Sequence, residues 1–164
     1  MNRTVCARLF LIALLAVGGV AVGQQRKMDI VKDAIFARKI LMDTINTNMD
    51  EIEGMISSGK PINLDEAHEH ADAISVMLMA FPHLFAESTN QWKPNVERDP
   101  GTDTFASPAV WSNFPDFYDR AAKASKSAYN ASRAKNETDF KSFAKQLRES
   151  CDSCHAAYQK TSEQ

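Results

Sequence analysis

The chain is poor in cysteine, glycine and proline, and it carries almost no net charge. Its 164 residues include three cysteines, six glycines and six prolines, and the formal net charge is −2. A charge so close to zero argues against a nucleic-acid surface or a polybasic membrane patch. The glycines and prolines fall mostly between periodic apolar segments, which predicts a helical chain without convincing strands.

The N-terminal segment lacks the length of a membrane span. Its apolar stretch, residues 9–22, is shorter than the roughly 20 residues that a transmembrane helix needs. Arg3 and Arg8 precede this stretch, and the small residues Ala21-Val22-Gly23 lie at its end. This arrangement is typical of a cleavable signal peptide. We predict that residues 1–23 are removed and that residues 24–164 form one domain without stable membrane insertion. An uncleaved membrane anchor is the alternative.

The predicted fold class is all-α, an antiparallel four-helix bundle. Apolar residues recur at helical spacing in four segments, residues 26–57, 63–85, 115–135 and 137–158. Pro82, late in the second segment, is expected to kink or end that helix. The connections within the first and second pair of helices are short, which favours two antiparallel hairpins. Asn63 with Glu66 predicts a capping box, and Asn136 predicts an N-cap. The irregular connection of residues 87–112 is long enough to suggest a role, such as covering a bound group.

The strongest motif is Cys151-Asp152-Ser153-Cys154-His155 near the C-terminus. This C-x-x-C-H pattern is typical of covalent haem c attachment, in which two thiols bond the porphyrin and the histidine binds the iron. Both cysteines continue the apolar stripe of the last helix, so we expect one haem c in the bundle core. Attachment of this kind outside the cytoplasmic membrane suggests a bacterial periplasm.

Three other interpretations of the motif are weaker. A zinc site needs four ligands, and His68, His70 and His83 are not spaced as a partner cluster. We expect His68 and His70 to be surface residues. A thioredoxin-like motif should follow a strand in a βαβ unit, and none is predicted. The spacing alone leaves a plain disulfide open.

The first helix contains candidates for two roles at the haem, a partner for a propionate and the iron ligand opposite His155. Arg38 occupies an inward position of the apolar seam, where a charge needs a partner such as a haem propionate; the alternative is an arginine that reaches solvent. Met42 lies four residues further on the same face, and its thioether is a good iron ligand. Met28, Met49 and Met55 share the helix, and most of these methionines must serve packing.

The combined pattern resembles the class II c-type cytochromes, which are exported four-helix bundles of this length with C-x-x-C-H near the C-terminus. The run from Arg38 to Met42 and the small-residue segment that ends at Trp111 are also similar to this family. The resemblance covers essentially the whole chain after residue 23. It implies covalent haem c on Cys151 and Cys154, with His155 as an iron ligand.

The residue at position 42 separates the two branches of this family. In cytochromes c′ the matching position is commonly leucine or another non-ligand, and the five-coordinate iron binds nitric oxide or carbon monoxide. In the low-spin branch it is methionine, so Met42 implies an electron carrier with His155 and Met42 as axial ligands. Gln159 replaces an arginine typical of cytochromes c′, although Lys160 can partly substitute. Gas binding at a five-coordinate or Met42-displaceable iron is the alternative.

The resemblance also implies partners. An electron carrier requires periplasmic redox partner proteins, and bundles of this family are often homodimers packed through their first two helices. With both axial positions filled, the iron offers no open position for a substrate, so we do not expect an enzyme. No pattern in the sequence identifies the redox partner.

Overall fold

The computed structural model describes residues 3–91 and 104–160, and the side chains of residues 26, 27, 29–91 and 104–160. Five α-helices occur in this part of the chain: α1 (Arg3–Ser57), α2 (Leu64–Ala80), α3 (Ala109–Ser112), α4 (Phe114–Ala131) and α5 (Glu137–Tyr158). Two short 3-10 helices, Phe81–Leu84 and Glu87–Thr89, follow α2. The described residues contain no β-strand, and none of their helices is long and apolar enough to cross a membrane.

The four longer helices form the predicted antiparallel bundle. α2 packs against α1 and α4, and α4 packs against α5, so neighbours in the bundle follow chain order. Hydrogen bonds from Ser125 to the Ser75 carbonyl (2.8 Å) and from Ser132 to Asp72 (3.1 Å) show that α2 and α4 are antiparallel. The α1 and α5 backbones make few close approaches to each other among the described residues.

The core of the bundle divides into two clusters of buried side chains. The turn-side cluster, near the short α1–α2 and α4–α5 turns, includes Ile45, Met49, Ile52, Ile74, Phe140 and Leu147. The connection-side cluster, at the opposite end, consists of Phe81, Phe85, Val110, Phe117 and Tyr158. The apolar stripe of the third predicted helix points inward, because all of its members are buried: Phe117, Ala121, Ala124, Ala128 and Ala131.

Most helix limits follow the sequence, with four differences. Asn136 caps α5 as predicted, since its Oδ1 accepts a hydrogen bond from the Asp139 amide at 2.9 Å. The capping box at Asn63 is wrong, because the Asn63 side chain makes no cap bond and donates to Glu66 instead. The third long helix ends at Ala131, four residues early, and α2 ends at Ala80, just before Pro82. Helix α1 begins at Arg3 and continues past residue 23, and cleavage there stays a prediction.

Candidate cofactor-binding site

The attachment motif lies on the last two turns of α5. Cys151 and Cys154 are free, half-buried thiols. Cys151 packs against the turn-side cluster and Cys154 against the connection-side cluster, so the motif spans the junction of the two. Burial raises the pKa of Cys151 and raises that of Cys154 to about 11. Both thiols are therefore protonated at neutral pH and face largely apolar surroundings.

His155 follows Cys154 on the same helix and is half-buried. Burial is the main cause that holds the pKa of His155 below its ordinary value. Its ring is therefore mostly neutral at neutral pH, and the neutral imidazole is the form that binds a metal. Its carbonyl oxygen accepts the Gln159 amide at 2.9 Å, so α5 remains helical through the motif.

The methionines of α1 fall into two groups. Met42 is half-buried and packs against the connection-side cluster, as Cys154 does. Met49 is only 3% exposed and belongs to the turn-side cluster, against which Met55 also packs. The side chain of Met28 lies outside the described residues. Met42 is therefore the described α1 methionine that shares a cluster with Cys154.

Arg38 is buried, with a fractional exposure of 3%. Its Nη1 donates to the Thr89 hydroxyl at 3.1 Å, and its guanidinium carbon lies 4.4 Å from the ring centre of Phe85 and 5.6 Å from that of Trp111. Burial lowers the pKa of Arg38 to about 10, so the group still carries its charge at neutral pH. Its Nε and Nη2 have no hydrogen-bond partner in the described part of the chain.

These side chains fit a haem c group. Two thiols stand one helical turn apart, a neutral imidazole adjoins them, and a thioether packs against the same cluster as one of the thiols. The two unpartnered nitrogens of buried Arg38 are a further match, because an unpaired buried cation is costly and a propionate would supply its carboxylate. The α1 and α5 helices share the turn-side cluster and are joined by the Arg148–Glu53 ion pair at 2.6 Å, although their backbones make few close approaches.

The sequence pattern did not indicate what surrounds Arg38. Phe85 follows the first 3-10 helix after α2, and Thr89 and Trp111 belong to the long connection. Trp111 donates its Nε1–H to the Ala86 carbonyl at 3.2 Å. The two aromatic rings are 5.8 Å apart between centroids. The described parts of the connection therefore enclose the guanidinium, which gives the long connection a role at this site.

A second polar group contacts the motif from α4. Arg120 donates from Nε to Asp116 Oδ2 at 2.7 Å and from Nη1 to the Ser153 hydroxyl at 2.6 Å and carbonyl at 3.3 Å. The same Asp116 oxygen accepts the Tyr158 hydroxyl. The spacing of Asp116 and Arg120 predicts a helical ion pair, but no pattern in the sequence indicates that the pair reaches Ser153.

His68 and His70 make their described contacts outside the attachment motif. The expectation that His68 and His70 are surface residues is wrong, because both are half-buried. His68 packs near Phe140, with ring centres 6.2 Å apart, and the Nδ1 of His70 lies 2.8 Å from Asn48 Oδ1. No group of three or more His, Cys, Asp or Glu side chains able to hold a metal ion occurs among the residues that the structure describes.

Comparison with known proteins gives one consistent result. Residues 33–159 match the family model described as Cytochrome C′. A cytochrome c-556 of Agrobacterium tumefaciens (strain II Chrys) is 28% identical over 123 residues, which cover 74% of this chain and 92% of the relative.

Two solved structures have the same fold. Cytochrome c′ from Rhodopseudomonas palustris has a TM-score of 0.68 at 22% identity, covering 79% of this chain and 98% of that one. A cytochrome c′ with an unusual ligand-controlled dimer dissociation has a TM-score of 0.67 at 17% identity, covering 80% and 97% of the two chains.

Proposed function

We propose, since this chain belongs to the cytochrome c′ family, that it is an electron carrier whose haem iron is bound by His155 and Met42. Haem c, covalently attached, is the cofactor of the family and of this chain. The family consists of electron carriers and gas-binding haem proteins and is generally not enzymatic. The choice of the carrier depends on the ligand opposite His155.

The observation that carries the proposal is the placement of Met42. It packs against the same cluster as Cys154, whereas Met49 and Met55 are engaged with the other cluster. Met42 therefore has a thioether that is not committed to the turn-side core and that packs, as Cys154 does, against the connection-side cluster. A thioether ligand also raises the reduction potential of haem iron, which suits an electron carrier.

Each candidate residue has a distinct task in this proposal. Cys151 and Cys154 would form the thioether bonds, His155 and Met42 would hold the iron, and Arg38 would pair with a propionate. When bound, haem supplies an iron that changes between ferric and ferrous states. The aromatic connection-side cluster would exclude water and lower the local dielectric, which stabilises the less charged state.

The Met42 assignment can be tested by absorption spectroscopy of the ferric and ferrous holoprotein. The wild type is expected to be low-spin, with a methionine–iron charge-transfer band in the ferric state. Met42→Leu should become high-spin and bind carbon monoxide in the ferrous state, because the variant side chain cannot bind iron.

Met49→Leu is the matched control, since Met49 is buried in the turn-side cluster. It should keep the wild-type spectrum. A high-spin ferric wild type, or a Met42→Leu spectrum identical to that of the wild type, would contradict the proposed ligand.

Gas binding is the second candidate function. It is favoured by a structural neighbour, a mutant of cytochrome c prime from Alcaligenes xylosoxidans whose structure is a nitric oxide complex. In this case Met42 would be packing or would leave the iron on reduction. Rapid binding of carbon monoxide to the ferrous wild type, without a lag for ligand displacement, would support this candidate over the electron carrier.

We further propose a periplasmic location, after removal of residues 1–23, and a homodimer that uses the outer face of α1. Phe36 and Ile40 lie one turn apart on that helix and are 65% and 49% exposed. Large apolar side chains exposed together are typical of an interaction surface. Sedimentation velocity of the holoprotein should give a dimer, and a strictly monomeric species at high micromolar concentration would rule it out.

A further inference from the structure

The residues that would hold haem lie at a helix end. Cys151, Cys154 and His155 are on the last two turns of α5, which ends at Tyr158. Terminal turns of helices fray and open more easily than helix interiors. An axial ligand in such a position needs support from outside its own helix if its ring is to keep one orientation.

Helix α4 supplies support on both sides of Cys154. Arg120 makes two of its hydrogen bonds to Ser153, the residue immediately before Cys154. Tyr158, four residues after Cys154, donates to Asp116, which also accepts the Arg120 Nε–H. One acid–base pair on α4 therefore holds the motif before and after the cysteine that adjoins His155.

Tyr158 connects this polar group to the core. It is 5% exposed, and its ring meets that of Phe117 edge-on with centroids 5.3 Å apart. The Arg120 guanidinium carbon lies 5.9 Å from the Tyr158 ring centre. Backbone hydrogen bonds from Ser107 to the Tyr158 carbonyl (2.8 Å) and from Lys160 to the Phe105 carbonyl (2.7 Å) also hold the end of α5.

We propose that Asp116, Arg120 and Tyr158 are positioning residues that fix the orientation of the His155 ring toward the iron. The proposal rests on the proposed function in one respect, that His155 is an axial ligand. The three side chains act through the backbone and side chain of the motif. By holding the helical turn that carries His155, they would do indirectly what hydrogen bonds to a ligand ring do directly, which is to orient the ligand and tune the metal.

A role limited to fold stability does not account for this arrangement. The Arg120 and Asp116 side chains are 33% and 42% exposed, and exposed ion pairs contribute little to the free energy of unfolding. Their specific contribution is geometric, because a guanidinium offers several donors in a rigid plane and can bind Asp116 and Ser153 at the same time. Glutamine at position 120 would be too short to reach both partners.

The test compares the ferric holoproteins of wild type, Arg120→Gln and Tyr158→Phe. Tyr158→Phe keeps the buried ring and removes only the hydroxyl, so it should fold even where Arg120→Gln does not. Arg133→Gln is the matched control, because Arg133 is an exposed arginine in the turn just after α4 and pairs with Asp72 on α2 at 3.3 Å. The readouts are the electron paramagnetic resonance spectrum and hydrogen exchange of the α5 amides.

We expect both Arg120→Gln and Tyr158→Phe to show a second set of ferric haem signals, from a second orientation of the His155 ring. The amides of residues 154 and 155 should exchange about tenfold faster than in the wild type. Arg133→Gln should match the wild type in both measurements. A single, wild-type set of signals in both test variants, or the same change in Arg133→Gln, would overturn the proposal.

The result is independent of the Met42 assignment. The wild-type spin state tests whether Met42 binds the iron, whereas the comparison of variants with wild type tests the positioning role in either spin state. A high-spin wild type with split signals in the variants would support the positioning residues and reject the proposed electron carrier.

Discussion

Arg38 is the residue whose surroundings say most about the cofactor. It combines a fractional exposure of 3%, one hydrogen bond to Thr89, and two nitrogens without a partner. Stacking on Phe85 partly offsets the loss of hydration, but a buried guanidinium still requires an anion. The unpartnered nitrogens of Arg38 are therefore the observation behind its proposed pairing with a haem propionate.

Replacement of Arg38 by glutamine should lower the reduction potential of the holoprotein. Loss of a buried positive charge beside the haem favours the ferric form, which carries more positive charge. We expect a decrease on the order of 60 mV, equivalent to a tenfold change in a one-electron equilibrium. Potentiometric titration measures it, with Arg133→Gln as the exposed control; an unchanged potential in Arg38→Gln would remove Arg38 from the haem site.

At the scale of single elements, α5 depends on its partners at both ends. Its first turn is capped by Asn136, and the Ile62 amide donates to Glu137 at 3.0 Å across the bundle. Its last turn is held by Asp116 of α4 and by the 105–107 segment. The hydrogen bonds of Tyr158 and then Arg120 hold the pKa of Asp116 below its ordinary value.

The lowered pKa of Asp116 predicts an acid-sensitive helix end. A carboxyl whose pKa is depressed in the folded state adds stability above its unfolded pKa of about 4, and that contribution is lost as pH falls through the folded pKa. We therefore expect the last turns of α5 to loosen below about pH 4. Circular dichroism of the haem band between pH 6 and pH 2.5 would follow the change.

Asp116→Asn provides the comparison for this acid transition. The variant cannot lose a charge at that position, so the component of the transition that belongs to Asp116 should disappear. If Asp116→Asn and the wild type show the same transition, another carboxyl is responsible.

At the scale of the whole molecule, small residues set the spacing between α2 and α4. The buried stripe of α4 consists largely of alanine, and Ser125 hydrogen-bonds directly to the Ser75 backbone. A close approach of this kind leaves no space for longer side chains between the helices. The packing of this half of the bundle therefore does not need a cofactor to fill it.

Ala128→Leu should consequently destabilise the holoprotein by about 1–3 kcal/mol, because overpacking forces the helices apart. Ala128 is fully buried, whereas Lys126 is exposed on the same helix. Lys126→Leu is thus the control, and it should change the free energy of unfolding much less. Urea denaturation, monitored by far-ultraviolet circular dichroism, compares the two variants. Equal free energies of unfolding would show that the α2–α4 contact accommodates the larger side chain.

The sequence predicted the helices because their apolar spacing is a local property. The predicted stripes of α2 and α4 are buried as expected. On α5 the stripe is buried except at Cys151 and Cys154, which are half-buried. The contacts of Arg38 with Thr89 and of Arg120 with Ser153 join residues 51 and 33 positions apart. Such contacts depend on how the long connection and the helix faces meet in space, which periodicity does not encode.

The two proposed iron ligands lie on the first and last long helices, whose backbones otherwise make few close approaches. Bonds from one haem to Met42 and to the Cys151–His155 segment would close a loop of roughly 110 residues, comparable with a long-range disulfide. By the chain-entropy argument such a closure is worth about 4–5 kcal/mol. The iron–Met42 bond would then act as a releasable cross-link. Any event that breaks this bond would lower the free energy of unfolding of the entire bundle.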